Sequence, residues 1–403
     1  MGSSLGALNA LNFFMADVRD GLGPFLGVFL QGQGWQPAEI GLVMTLGGYA
    51  GMLATTPLGM LVDGTRSKRG LMVAAALAVA IASMGILAAP NFAVTALSQV
   101  MTGVAGAVVM PAIAGITLGL VRQAGFAHQL GRNEAFNHAG NVFAALLGGG
   151  FGYLFGLQAI FFLLAAMALA SIAAALAIDP RHIDHVAARG GGDGADGAAP
   201  PPASLAVLYR SRPLLVLAVV LMLFHLGNAA MLPLLGQALV ARGAGDPSAF
   251  TAATIIVAQL TMIPMALLAA RLAETRGYWV LFVAALAALP IRGVLAAFVT
   301  NPWGLVPIQV LDGVGAGLLG VAVPGLVARI LAGSGHVNAG LGAVMTLQAV
   351  GAASSTALAG MLAQSFGYAE AFLALGGIAA AGLLLWLLAT SVVGPACRGT
   401  APA

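Results

Sequence analysis

Twelve long apolar blocks dominate this chain, near residues 5–31, 38–62, 70–89, 92–121, 134–155, 158–178, 213–240, 248–270, 278–299, 303–331, 338–364 and 368–392. Each is long enough, as a helix rising about 1.5 Å per residue, to cross a hydrocarbon core of about 30 Å. Of the 403 residues, 60% are hydrophobic and only 7% charged, against roughly 25% charged in a soluble domain. A water-soluble fold of this length could not cover its surface with so little charge. Leu and Ala dominate and the two-residue alternation of barrel strands is missing, so the blocks read as helices. The expected fold is an all-α membrane protein with twelve transmembrane helices.

Basic residues orient such a chain, because cytoplasmic loops hold the excess of Lys and Arg. With both termini in the cytoplasm, all of the 16 Lys and Arg residues fall on that side except Arg19, Arg242 and Arg292. The net charge of +3 therefore expresses topology and does not call for nucleic acid. The start "MGSSLGALNA" lacks a basic stretch and runs straight into a full-length span, so a cleaved signal is not expected. A single cysteine, Cys397, allows no disulfide framework.

Residues 180–212 form the longest polar stretch, rich in Gly, Pro and Asp, and read as a flexible cytoplasmic linker. It separates an N-terminal six-helix half, 1–179, from a C-terminal half, 213–403. The halves echo each other. "QVMTGVAGAVV" from Gln99 matches "QVLDGVGAGLL" from Gln309, "GPFLG" from Gly23 matches "LPLLG" from Leu232, and Asp63 stands opposite Glu274, all at nearly one offset. A tandem six-helix repeat in a membrane protein points to rocking of two halves about a site between them.

After the second apolar block comes "GMLVDGTRSKRG", Gly59 to Gly70. This stretch resembles the signature of the major facilitator superfamily in the same loop, a Gly-x-Leu-x-Asp run followed by basic residues. The resemblance, together with helix count, linker and repeat, implies alternating-access transport with helices one, four, seven and ten lining the cavity. It also implies a cytoplasmic gate at Gly59 and Asp63, with Arg66 and Arg69 as charged neighbours of the aspartate. Two family features are missing. Gln99 stands where the helix-four signature has Arg, and "GNVFAALLGGGFGY" lacks the Gly-Pro of drug antiporters.

"ADVRDG" places Asp17, Arg19 and Asp20 inside the first block. An ionised residue at the middle of a membrane helix costs about 2.5–3.5 kcal/mol, so such groups face the bundle interior and serve ion or substrate movement. Asp17 and Asp20 share one helical face, and paired carboxylates suit proton uptake and release. By the repeat, His225 falls beside the counterpart of Asp17 and completes the proton-coupling candidates. Arg19, Asn228, Gln99, Gln309, Asp312, Asn137, His138 and Asn141 are the candidate substrate-cavity residues, with packing hydrogen bonds as the alternative for the asparagines. Arg19 and Asp312 are candidates for an ion pair between the halves. Arg292, on a helix outside the family's cavity ring, is left unassigned, with snorkelling outward as one option.

Catalytic strings dissolve in context. "GAGLLG", Gly315 to Gly320, lies inside a helix with no preceding strand, and "GAGD", Gly243 to Asp246, lies in a loop. Neither a soluble catalytic domain nor a nucleotide fold is present, so the chain reads as no enzyme, without cofactor. The expected function is secondary transport across the inner membrane of a small polar or amphipathic organic solute, proton-coupled, by a monomer embedded in lipid. Family frequency favours export. The alternatives are a proton-coupled uptake symporter and a metal-ion transporter using Asp17, Asp20, His138 and His225.

Overall fold

The computed structural model describes residues 2–19, 22–189, 211–243, 245–298, 301–332 and 337–398. Among them there are α-helices and short 3-10 turns and no strands. Among the described residues nine helical stretches are long and apolar enough to cross a membrane. By contact the chain divides into two compact units.

The first unit holds residues 1–34, 46–199 and 246–252. It contains α1 (Gly2–Arg19), α2 (Gly23–Gly32), most of α3 (Pro37–Gly64), α4 (Lys68–Ala88), α5 (Phe92–Phe155) and α6 (Gln158–Ala177). The pairs α1 with α5, α4 with α5, α1 with α6 and α4 with α6 build its core. α5 starts on Asn91, whose Oδ1 accepts from Val94 N at 3.0 Å, a side-chain cap for an otherwise orphaned donor.

The second unit holds residues 35–45, 200–245 and 253–403. It contains α7 (Arg212–Asn228), α8 (Met231–Arg242), most of α9 (Pro247–Thr275), α10 (Tyr278–Phe298), α11 (Leu305–Ile330), α12 (Val337–Phe366), α13 (Tyr368–Leu388) and α14 (Thr390–Cys397). Here α12 and α13 pack on α7, while α10 packs on α11 and α13. Trp386 stacks on Phe282 and Trp279, with ring centroids 4.5 and 5.6 Å apart. The start of α3 joins this unit through Thr45, whose Oγ1 donates to Ala353 O at 2.7 Å and accepts from Ala357 N at 2.9 Å.

Repeat-related positions do the same structural work in each unit. Gly156 ends α5 with φ +83° and Gly367 ends α12 with φ +106°, a left-handed turn that glycine adopts without steric cost. A methyl group built on Gly103 would overlap the Gly47 carbonyl oxygen, and one built on Gly313 would stand 2.7 Å from Ala258 O. In each unit, then, a glycine lets two helix backbones touch.

The first apolar block of the second half runs as one span, Arg212–Arg242, as the sequence reads. α7 passes into α8 through Ala229 and Ala230, which keep right-handed helical angles. Pro233 loosens the helix there, because proline offers no N–H to the carbonyl four residues earlier, and the Ala230 N–H is taken up by Ser355 Oγ at 3.0 Å. In the first half α1 ends at Arg19 and α2 begins at Gly23.

Arg122, with φ +53°, is not helical and divides α5 into two helices where the fourth apolar block was expected to end, while residues 123–133, expected as a loop, extend the second of them. The expected flexible linker is ordered in its first ten residues. Ile183 and Ala188 bury against Gly119, and Asp184 N donates to Gly119 O at 2.9 Å. Glycines on α5 leave a shallow face that these small apolar side chains fill. Residues 190–210 lie outside the described residues.

Candidate functional site

Polar groups gather at the end of α1 and where α7 passes into α8. In the second unit, Arg292 enters from α10 and is 1% exposed. Its Nη1 lies 2.8 Å from Asp312 Oδ1 of α11 and donates to Asn228 Oδ1 at 2.6 Å, at the last residue of α7. Its Nη2 reaches Gln309 Oε1 at 3.5 Å. Arg292 Nε and Gln309 Nε2 are buried donors with no acceptor among the described residues. Arg292, left unassigned from the sequence, does not snorkel outward: the guanidinium turns inward because a carboxylate and two amides await it there, which lipid could not supply. Asp312 thus carries its ion pair on α10 of its own unit.

The carboxylate is the more accessible partner, its side chain 15% exposed against 1% for the arginine. One turn before Asn228, His225 Nδ1 donates to the Leu221 carbonyl at 2.9 Å, which commits one ring nitrogen to its own helix. Nε2 keeps the ring's remaining hydrogen-bonding capacity.

In the first unit, Arg19 ends α1 and its Nη1 contacts Met110 Sδ at 3.6 Å. A small cavity of ≈ 30 Å³ opens beside it between α1 and α5, lined by Asn12, Arg19, Met110, Glu134 and Asn137 among others. Behind the cavity runs a buried amide network. Gln129 Nε2 donates to Asn9 Oδ1 at 2.9 Å and to Asn133 Oδ1 at 3.0 Å, and Asn133 Nδ2 donates to Thr117 Oγ1 at 2.8 Å. Satisfied networks of this kind fix one helix arrangement.

The other expected residues are dispersed. Asp17 is half-buried on α1, and Asp20 lies outside the described residues. Asn141 Nδ2 donates to Asn137 Oδ1 at 3.3 Å, while His138 and Gln99 are half-buried on α5. Gly59 is half-buried, and Asp63 and Arg66 are exposed. Arg69 is committed to α6, where Nε donates to Ala175 O at 2.9 Å and Nη2 to Leu176 O at 2.7 Å. Among the described residues no three His, Cys, Asp or Glu side chains stand together as a metal site.

Sequence reasoning missed Lys68, which is 1% exposed and donates through Nζ to Val62 O at 2.6 Å and Thr65 O at 3.1 Å. A cation on the last carbonyls of α3 offsets the negative end of its dipole. It also missed Gln129 and Asn133, because they fall in the stretch read as a loop. The signal for Arg292 was present, since a charge inside an apolar block is costly wherever it sits.

Comparison with known proteins agrees with this architecture. The family model of the Major Facilitator Superfamily matches residues 4–306. Two relatives from strains of Mycobacterium tuberculosis, each described as an uncharacterized MFS-type transporter, are 43% identical over 385 residues, covering 95% of this chain and 92% of theirs. Among solved structures, the nucleoside transporter NupG superposes with a TM-score of 0.78 at 15% identity, covering 96% of this chain and 98% of that one. A POT family transporter in complex with a thioalcohol-conjugated peptide gives a TM-score of 0.77 at 12% identity, covering 96% of each chain. Helices long enough to span a membrane, repeat-related glycines at helix contacts, and these matches lead to one conclusion: the chain belongs to the major facilitator superfamily of membrane transporters.

Proposed function

We propose that this transporter moves a small polar or amphipathic organic solute across the inner membrane by alternating access, coupled to protons and in the direction of export. The working unit is a monomer of twelve membrane helices with cytoplasmic termini, its two six-helix halves, 1–179 and 213–403, joined through 180–212. The observation that carries the coupling is the Arg292–Asp312 pair, 2.8 Å long and held by Asn228 and Gln309. A buried ion pair is costly to desolvate and is weak support for stability alone. It does suit a switch. A proton arriving at Asp312 cancels the pair, while the two amides keep Arg292 hydrogen-bonded in place.

In this mechanism Asp312 joins Asp17 and Asp20 as a proton-carrying carboxylate, with His225 beside it on α7. Arg19, Gln99, Asn137, His138 and Asn141 contribute to the solute path, and Asp63 with Gly59, Arg66 and Arg69 to the cytoplasmic gate. The exposed Asp63 makes no ion pair among the described residues, which suits a group that engages its partner in only one state of the cycle.

The test is proton movement in proteoliposomes on addition of a solute panel, comparing wild type with Asp312→Asn and Asp17→Asn. Solute-evoked pH change that disappears in Asp312→Asn supports the reading. Solute flux without proton movement, unchanged in both variants, overturns the coupling.

A further inference from the structure

Two segments, 179–189 after α6 and 389–398 after α13, fold back on the units they belong to. Ile183 and Ala188 of the first are 6% and 4% exposed, and Val393 and Cys397 of the second are 0% exposed. Ile183 and Val393 stand as far apart in the chain as Gln99 and Gln309, so they hold repeat-related positions.

What each segment touches is repeat-related as well. In the first unit a methyl group built on Gly115 of α5 would stand 2.7 Å from Lys68 Cε and 3.4 Å from Ala188 O. In the second unit a methyl group built on Gly325 of α11, the repeat mate of Gly115, would overlap the hydroxyl of Tyr278, the mate of Lys68. The Arg329 guanidinium lies 4.4 Å from the centre of the Tyr278 ring, and its Nη1 donates at 3.0 Å to the carbonyl of Arg398, the mate of Ala188. Each joint therefore combines a glycine of α5 or α11, a large side chain from the start of α4 or α10, and a carbonyl of the returning segment. Lys68 and Tyr278 differ in chemistry, so the two halves share the joint and not one side chain.

Each segment also reaches the first helix of its unit. Ser4 of α1, 0% exposed, accepts from Asp179 N at 3.2 Å and stands 2.9 Å from His182 Nδ1. In the second unit α14 packs on α7 as well as on α10, α11 and α13. Apolar burial supplies the hold in both. The Arg122–Asp184 pair adds little to the first, because its arginine side chain is 68% exposed and solvent screens it.

We propose that the linker start and the C-terminal tail are equivalent clamps, each tying the first helix of its half to the helix of the fourth block, α1 to α5 and α7 to α11, and each staying shut while the halves move. Their part in transport rests on the function proposed above, in which these four helices carry the solute path and the proton groups. A half whose wall helices are tied at one end rocks as a rigid body, because close-packed interiors transmit strain.

The experiment measures hydrogen exchange by mass spectrometry on the purified full chain in detergent, for wild type, Ile183→Asn and Val393→Asn, which leave every long helix unaltered. In Ile183→Asn protection falls over 179–189 by about tenfold or more, the scale of one lost buried side chain, and it falls with it over the first turns of α1. Val393→Asn does the same over 390–397 and the first turns of α7. Loss confined to the substituted segment, with α1 or α7 as protected as in wild type, overturns the clamp. Gly119→Cys with Ala188→Cys, in a Cys397→Ala background, closes the first clamp covalently. The two Cβ positions stand 3.1 Å apart, a few tenths of an ångström inside the disulfide range of about 3.5–4.5 Å. Solute flux in the proteoliposome panel is then equal before and after oxidation, and flux lost on oxidation and regained on reduction overturns a clamp that stays shut. A panel in which wild type moves no solute counts against the transporter reading, while the exchange result still decides the clamp.

Discussion

Arg292 Nη1 and Asp312 Oδ1 lie 2.8 Å apart, and the arginine is 1% exposed. Removing one partner of a buried pair leaves an uncompensated charge, at a cost of about 3–5 kcal/mol, whereas replacing both with apolar groups of similar volume is often neutral. Asp312→Leu and Arg292→Met alone each lower the melting temperature in detergent. The double variant recovers much of that loss and still fails to couple solute to protons. Thermal denaturation and proteoliposome flux, measured on all three, check the prediction.

Gly103 and Gly313 bring helix backbones together at repeat-related sites. Overpacking a tight contact costs about 1–3 kcal/mol, so Gly103→Ala and Gly313→Ala are destabilising. Gly320, with nothing within 4 Å of where a Cβ would stand, is the control. Gly320→Ala is neutral or stabilising by up to about 1 kcal/mol, the helix-propensity difference between the two residues.

Asp184 holds the docked start of the linker. The Ala187 and Val186 N–H groups at 3.1 and 3.0 Å, with the Arg122 guanidinium at 3.0 Å, keep its carboxyl below the usual carboxylate range, the Ala187 bond contributing most. A depressed folded-state value means the stabilisation is present above the unfolded value of about 3.9 and is lost as pH falls through the folded one. Hydrogen-exchange protection over 183–189, taken relative to the intrinsic rate at each pH, is therefore unchanged between about pH 5 and 8 and falls only under stronger acid. Asp184→Asn reproduces the acid behaviour at neutral pH.

Cys397 is 0% exposed, and its thiol is pushed up to about 11 by burial, with Arg329 opposing the shift. The thiolate is the reactive form. Alkylation by iodoacetamide at neutral pH is accordingly slow in the folded chain, rises with pH toward that value, and becomes fast on denaturation. Mass spectrometry of the tail peptide follows all three.

The all-α membrane class was legible in the sequence, because crossing a bilayer demands long apolar runs and those are a one-dimensional property. So was the family, through the run from Gly59 to Gly70 and the repeat. The loosened turn between α7 and α8 was encoded by Pro233, though apolar composition alone hides it. Only the tertiary structure decided which intramembrane polar groups meet. Asp312 finds Arg292 on α10, Lys68 folds back on the end of α3, and Glu134 enters a cavity with Arg19. Sequence spacing settles which residues share a face of one helix. It leaves open how each helix is rotated and how closely it approaches its neighbours, and those two quantities set every pairing across helices.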